Sequence, residues 1–274
     1  MRVWSDTGCE LGEGARWVDG RLIFVDILAG RLLTTSADRP GLAEELFRLD
    51  VPLGAVAPLE GRPGRWIAAA GQGFALLDEA TGAVDWIDRP LPPTSRMNDA
   101  VCDPAGRFWA GAMSYDATPG AGALYRVDPD LRVTEVLTGL TIPNGPAFTA
   151  DGRTMYLADS AEGRIYRHDG DLDVFALVPE GSPDGMTVDV EDHLWVAIWG
   201  AGEVRRYAPD GRLDRVLRVP TPQPTSVCLT DRKLFVTTAA YGLPSAGPAG
   251  AVFAEDGLPH GRPANRFRLD AAGR

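Results

Sequence analysis

Four oxygen-bearing side chains, Glu13, Asn98, Asn144 and Asp184, recur at one place in a repeating segment of this chain of 274 residues. The six segments are Gly12-Glu13-Gly14-Ala15, Pro52-Leu53-Gly54-Ala55, Met97-Asn98-Asp99-Ala100, Pro143-Asn144-Gly145-Pro146, Pro183-Asp184-Gly185-Met186 and Pro224-Thr225-Ser226-Val227. Their second positions lie 40, 45, 46, 40 and 41 residues apart. In a closed ring such positions meet around one axis. Two carboxylates and two amides converging there are hard oxygen donors, the set that a divalent cation requires. An isolated Asn or Asp in a glycine-rich turn is explained by turn capping. Glu13 is not, and neither is the apolar Leu53 at the same phase.

The elements that must hold these side chains follow from the same period. A turn and a short apolar run come after each segment: Leu22-Ile23-Phe24-Val25, Trp66-Ile67-Ala68-Ala69, Phe108-Trp109-Ala110, Met155-Tyr156-Leu157, Leu194-Trp195-Val196-Ala197 and Leu234-Phe235-Val236. Gly20, Gly64, Gly106 and Gly152 stand at four of these turns, and Asp192 and Arg232 at the other two. A third run and a weaker fourth run complete each repeat. Four strands per unit of this length make a propeller blade. The reading is all-β, a six-bladed β-propeller of four-stranded blades around a central metal-binding channel, one domain over residues 1–274. The ring is expected to close through the chain ends. Residues near 2–6 should join the last blade, whose own final strand is placed near Arg266-Phe267-Arg268-Leu269.

Composition narrows the function. A net charge of −11 makes nucleic acid an unfavourable partner, because phosphate binding needs a basic footprint. No stretch has the apolar length of a membrane span. The N-terminal residues lack an apolar signal core, so the expected compartment is the cytoplasm. Cys9, Cys102 and Cys228 are odd in number and widely spaced, which argues for free thiols rather than a disulfide frame or structural zinc. The three histidines, His168, His193 and His260, do not share the phase of the polar ring. Nucleophile-elbow, Walker and dinucleotide motifs are absent.

The motifs Leu11-Gly12-Glu13-Gly14-Ala15-Arg16-Trp17, Arg96-Met97-Asn98-Asp99, Asp103-Pro104-Ala105-Gly106-Arg107-Phe108-Trp109-Ala110-Gly111, Pro143-Asn144-Gly145 and Pro183-Asp184-Gly185-Met186 together resemble the SMP-30/gluconolactonase/luciferin-regenerating-enzyme (LRE) family. The resemblance implies a propeller with one divalent metal ion (Ca²⁺, Mn²⁺, Mg²⁺ or Zn²⁺) and hydrolysis of a small-molecule lactone. It implies Glu13, Asn144 and Asp184 as metal ligands, with Asp184 also the catalytic carboxylate. Asn98 would lie beside the metal, touching substrate or a metal-bound water, and Arg96 would hold substrate oxygens at the channel mouth. Trp199 is a candidate wall of the pocket. One segment departs from the family pattern. Ser114-Tyr115-Asp116 follow Met113, where sugar lactonases of the family often carry a substrate-contacting glutamate. This keeps open a hydrolase or cyclase acting on a non-sugar ring. A non-catalytic cation-binding propeller is the other alternative.

Overall fold

The tight turn between the first two strands of each repeat sets the local geometry. Gly20, Gly64, Gly106 and Gly152 all take positive φ there. Asp192 and Arg232 take it too, at 58° and 63°, so one backbone shape serves all six repeats even where no glycine is present. The computed structural model describes residues 1–36, 40–244 and 247–270. These form 24 strands in six four-stranded antiparallel sheets, with no helix among the described residues. The architecture is a six-bladed β-propeller, and no helix is long and apolar enough to cross a membrane.

Each blade runs outward from a buried innermost strand. These strands are Gly12–Val18, Leu53–Pro58, Ser95–Cys102, Pro143–Phe148, Ser182–Val188 and Pro224–Leu229. Leu53–Pro58 is buried at every residue, whereas the outer strand Leu213–Arg218 is exposed at all but one. That gradient explains the sequence. Strands packed on both faces read as small or apolar throughout, and only rim strands can carry charge. The close approach near the axis demands small residues. A Cβ added at Gly54 would lie 2.3 Å from the carbonyl oxygen of Asn98 in the next blade.

The core divides among the blade interfaces. Six apolar clusters of buried residues each join a pair of neighbouring blades. Phe74, Phe108 and Phe267 fill one, and Trp4, Phe24 and Phe235 fill another. Each such aromatic, fully removed from water, contributes about 1.5–3 kcal/mol. The blades therefore adhere by side chains that are distant in sequence.

The N-terminal strand Arg2–Ser5 pairs with Val252–Asp256 and supplies the outermost strand of the last blade, as expected. The N-terminal ammonium lies 2.7 Å from Glu255. Closure of this kind leaves no free end at the seam. The expected strand near Arg266–Leu269 is not part of that blade. Its edge position is already taken by Arg2–Ser5. The segment instead crosses to the second and third blades, where Phe267 makes a parallel bridge to Leu59 and is fully buried. Arg268 and Asp270 donate backbone bonds to Gly106 and Pro129. The apolar character that read as a strand serves a strap.

Candidate functional site

All six innermost strands shift register just after the second position of the repeated segment. The breaks fall between Glu13 and Arg16, Leu53 and Ala55, Met97 and Ala100, Asn144 and Ala147, Pro183 and Met186, and Pro224 and Ser226. A β-bulge kinks its strand and re-aims a side chain, which is why bulges gather near active sites. Here Glu13, Asn98, Asn144 and Asp184 line one cavity of about 410 Å³, together with Arg96. The other two equivalents do not. Leu53 is packed in the apolar cluster between the first and second blades. The Thr225 hydroxyl is spent on the Gly12 carbonyl and on Thr237, 2.9 Å away.

A hydrogen-bonded chain fixes the amides. Arg96 Nη1 donates to Asn98 Oδ1 at 2.7 Å, and Asn98 Nδ2 donates to Asn144 Oδ1 at 2.7 Å. Asn144 Nδ2 donates to Ser160 Oγ at 2.9 Å, and that hydroxyl donates to the Pro183 carbonyl at 2.5 Å. Every link has one polarity, so both amides are held in one orientation. Ser160 was not foreseen from the sequence. It stands at the end of a second strand and shares no phase with the ring. Asp99 was quoted only as a neighbour of Asn98. It lies buried behind the ring, accepting from Gly145 N at 3.2 Å and from Arg16 Nη2 at 3.4 Å.

The two ring carboxylates face each other. Burial first, and the Asp99 charge next, push the Glu13 carboxyl up to about 8. Burial and then the Glu13 charge push Asp184 well above the usual carboxylate range. Asp184 Oδ1 is buried and has no hydrogen-bond partner among the described residues. An orphaned acceptor of this kind is costly. A cation there would match it and would also relieve the repulsion between the carboxylates. Glu13, Asn144 and Asp184 therefore fit an oxygen-coordinated divalent ion, with Asn98 next in line.

A pH dependence follows. Without metal, the folded state retains the Glu13 proton while the unfolded chain releases it near 4.5. The folded state thus binds more protons across that window, and stability falls as pH rises from about 4.5 to about 8. A metal that binds the ionised pair removes this penalty. The melting temperature of chelator-treated protein should therefore drop relative to metal-loaded protein as pH increases through that range. A gap that narrows with rising pH would contradict the assignment.

A second acidic group gives a contrast. Ligand atoms of Asp189, Glu191 and His193 lie within 4.8 Å of one another. Both carboxylates share one cation, Arg206, which also pairs with Asp214. Arg206 Nη2 is 2.7 Å from Asp189 and 2.5 Å from Glu191, and Trp195 Nε1 donates to Asp189 at 2.8 Å. Asp103 makes the equivalent bonds to Arg107 and Trp109 at 2.6 and 2.9 Å. The Asp-to-Trp motif is thus a brace of the hairpin.

The remaining cavity wall is largely apolar. Leu11, Ile27, Leu28, Met113 and Ile142 line it with Trp199, and Tyr115 and Tyr241 also border it. Cys102 and Cys228 border a separate small cavity lined also by Arg16 and by Arg262–Asn265 of the C-terminal strap. All three cysteines are free and buried.

A family model described as the SMP-30/gluconolactonase/LRE-like region matches residues 11–240. The chain is 35% identical to a pentonolactonase of Haloferax volcanii, over 97% of this chain and 96% of that one. It is 36% identical to an L-arabinolactonase of Azospirillum brasilense, over 87% and 84%. Its structure superposes with a TM-score of 0.91 on a calcium-binding regucalcin from Agrobacterium tumefaciens, at 30% identity, covering 98% of this chain and 97% of the other.

Proposed function

Because this chain belongs to the SMP-30/gluconolactonase/LRE-like family, we propose that it is a metal-dependent lactonase. The observation that carries this reading is the unpartnered Asp184 oxygen, set against Glu13 in a cavity that also receives the buried Arg96. The lactonase names of two relatives support the reaction class. The calcium-binding description of the regucalcin neighbour supports an oxygen-liganded ion.

Glu13, Asn144 and Asp184 would hold the ion. When bound, it supplies Lewis acidity to the lactone carbonyl and acidifies water. Asp184 takes the proton of the attacking water, acting as general base. The water oxygen joins the carbonyl carbon, the ring C–O bond breaks, and the leaving ring oxygen takes a proton. The product is a hydroxy acid. Arg96 offers a fixed fork of donors to substrate oxygens. Asn98, oriented by the chain through Asn144 to Ser160, sets the amide that substrate meets.

Metal storage alone would need neither a cavity of this size nor a buried arginine in its wall. Hydrolysis of a panel of lactones, followed by acid release with and without chelator, decides between the two. Turnover that vanishes on chelation and returns with Ca²⁺, Mn²⁺, Mg²⁺ or Zn²⁺ is expected. Tight metal binding with no hydrolysis of any lactone would leave only the storage role.

A further inference from the structure

Three arginines are buried among the described residues, and two of them pair with carboxylates. Arg16 pairs with Asp99 at 3.4 Å and Arg206 with Asp189 at 2.7 Å. Arg96 is 8% exposed and has no carboxylate partner at ion-pair distance among the described residues. One of its nitrogens is occupied by the Met97 carbonyl and Asn98 Oδ1, both neutral acceptors. The side chain lines the cavity.

The charge around it does not close. Among the described residues, Glu13 and Asp184 are the only carboxylates in the cavity wall. A divalent ion bound between them uses both negative charges. Asp99 is used by Arg16. Arg96 is left over, buried, with its charge directed at the space that substrate would enter. A buried charge without a partner is unfavourable, so a ligand that supplies the opposite charge gains accordingly.

The segment after Met113 shows why nothing in the protein closes the balance. Ser114 is buried and turned into its own loop, where its hydroxyl accepts from Thr118 N at 2.9 Å. Asp116 bonds the Thr118 hydroxyl at 2.8 Å and borders a different depression. Tyr115 alone reaches the cavity, whose wall it shares with Arg96. A neutral ring therefore stands beside the guanidinium where an acidic side chain would have cancelled it.

We propose that the cavity selects lactones that carry a free carboxylate on the ring, with Arg96 as the anion site and Tyr115 as the residue that keeps it vacant. This rests on the lactonase reading and narrows it to a substrate class. The matched probes are γ-carboxy-γ-butyrolactone and its neutral counterpart γ-hydroxymethyl-γ-butyrolactone. A hydrogen bond to a charged group is worth about 1.5–3 kcal/mol. The expected kcat/KM for metal-loaded protein is therefore about 10- to 100-fold higher for the acid lactone. In Tyr115→Glu the introduced carboxylate should occupy Arg96 and reduce that ratio at least about tenfold. Calorimetric binding of the non-hydrolysable pair cyclopentanecarboxylate and cyclopentanemethanol reads the same preference without turnover. The carboxylate should bind more tightly to the parent protein and lose its advantage in Tyr115→Glu. Equal kcat/KM for the two lactones, with equal binding of the two cyclopentanes, overturns the proposal. So does a carboxylate preference that survives in Tyr115→Glu, because the anion is then held elsewhere. If neither lactone is hydrolysed, the lactone panel decides the lactonase reading, while the binding pair still decides the charge preference.

Discussion

Asp184→Asn is expected to remove lactone turnover and bound metal together. The carboxylate is placed to serve twice, as a ligand and as the acceptor of the water proton. Loss of a general base alone costs roughly 10²- to 10⁴-fold in rate. Loss of affinity for the ion adds to that, so turnover at limiting metal should fall by at least about three orders of magnitude. The variant should keep its fold, since the substitution is nearly isosteric and relieves the repulsion with Glu13. Three further variants sharpen the test. Asn98→Ala should retain most metal while losing rate. Glu13→Gln should recover activity in part at high metal concentration. Leu53→Ala should leave metal content alone, because that side chain packs between blades. Elemental analysis and an acid-release assay on the four proteins give the answer. A protein that binds metal and turns over normally as Asp184→Asn would refute the site.

Chelation should produce the second large effect, a fall in melting temperature. The proposed ligands come from the first blade and the adjacent fourth and fifth blades, so one ion adds a tie across the axis of the ring. A ligand that binds only the native state, at a hundred times its dissociation constant, adds about 2.7 kcal/mol. For a chain of this size each kcal/mol is worth about 2–4 °C, so the expected drop is about 5–10 °C. Restoring the dication should reverse it. Scanning calorimetry on protein first shown to contain metal is the measurement. An unchanged transition would mean that the ion does not bridge the blades.

Much of the architecture was legible in the chain because a propeller repeats its local instructions. The turn ahead of Leu22 and its equivalents, the apolar runs and the polar second positions all recur at one spacing. The period alone placed Glu13, Asn98, Asn144 and Asp184 on one ring, and the cavity brings them together. The closing strand Arg2–Ser5 was foreseen because joining the chain ends removes exposed sheet edges. The segment Arg266–Leu269 was misread. A short apolar run has the same local pattern whether it pairs in a sheet or packs as a strap, and only competition for the blade edge separates the two.

The sequence by itself determined the number of blades, the innermost strands and the side chains offered to the axis. These rest on the alternation of residues within one strand and on turns of a few residues, which are local properties. The tertiary structure decided the rest. It turned Thr225 to a neighbouring carbonyl, enlisted Ser160 to orient Asn144, drew Asp99 onto Arg16 and left Arg96 with no carboxylate at ion-pair distance among the described residues. Those outcomes depend on which atoms from distant blades arrive within hydrogen-bonding or ion-pairing distance after water has been excluded. No spacing along the chain encodes that, because burial and electrostatic pairing belong to the assembled ring and not to any one of its repeats.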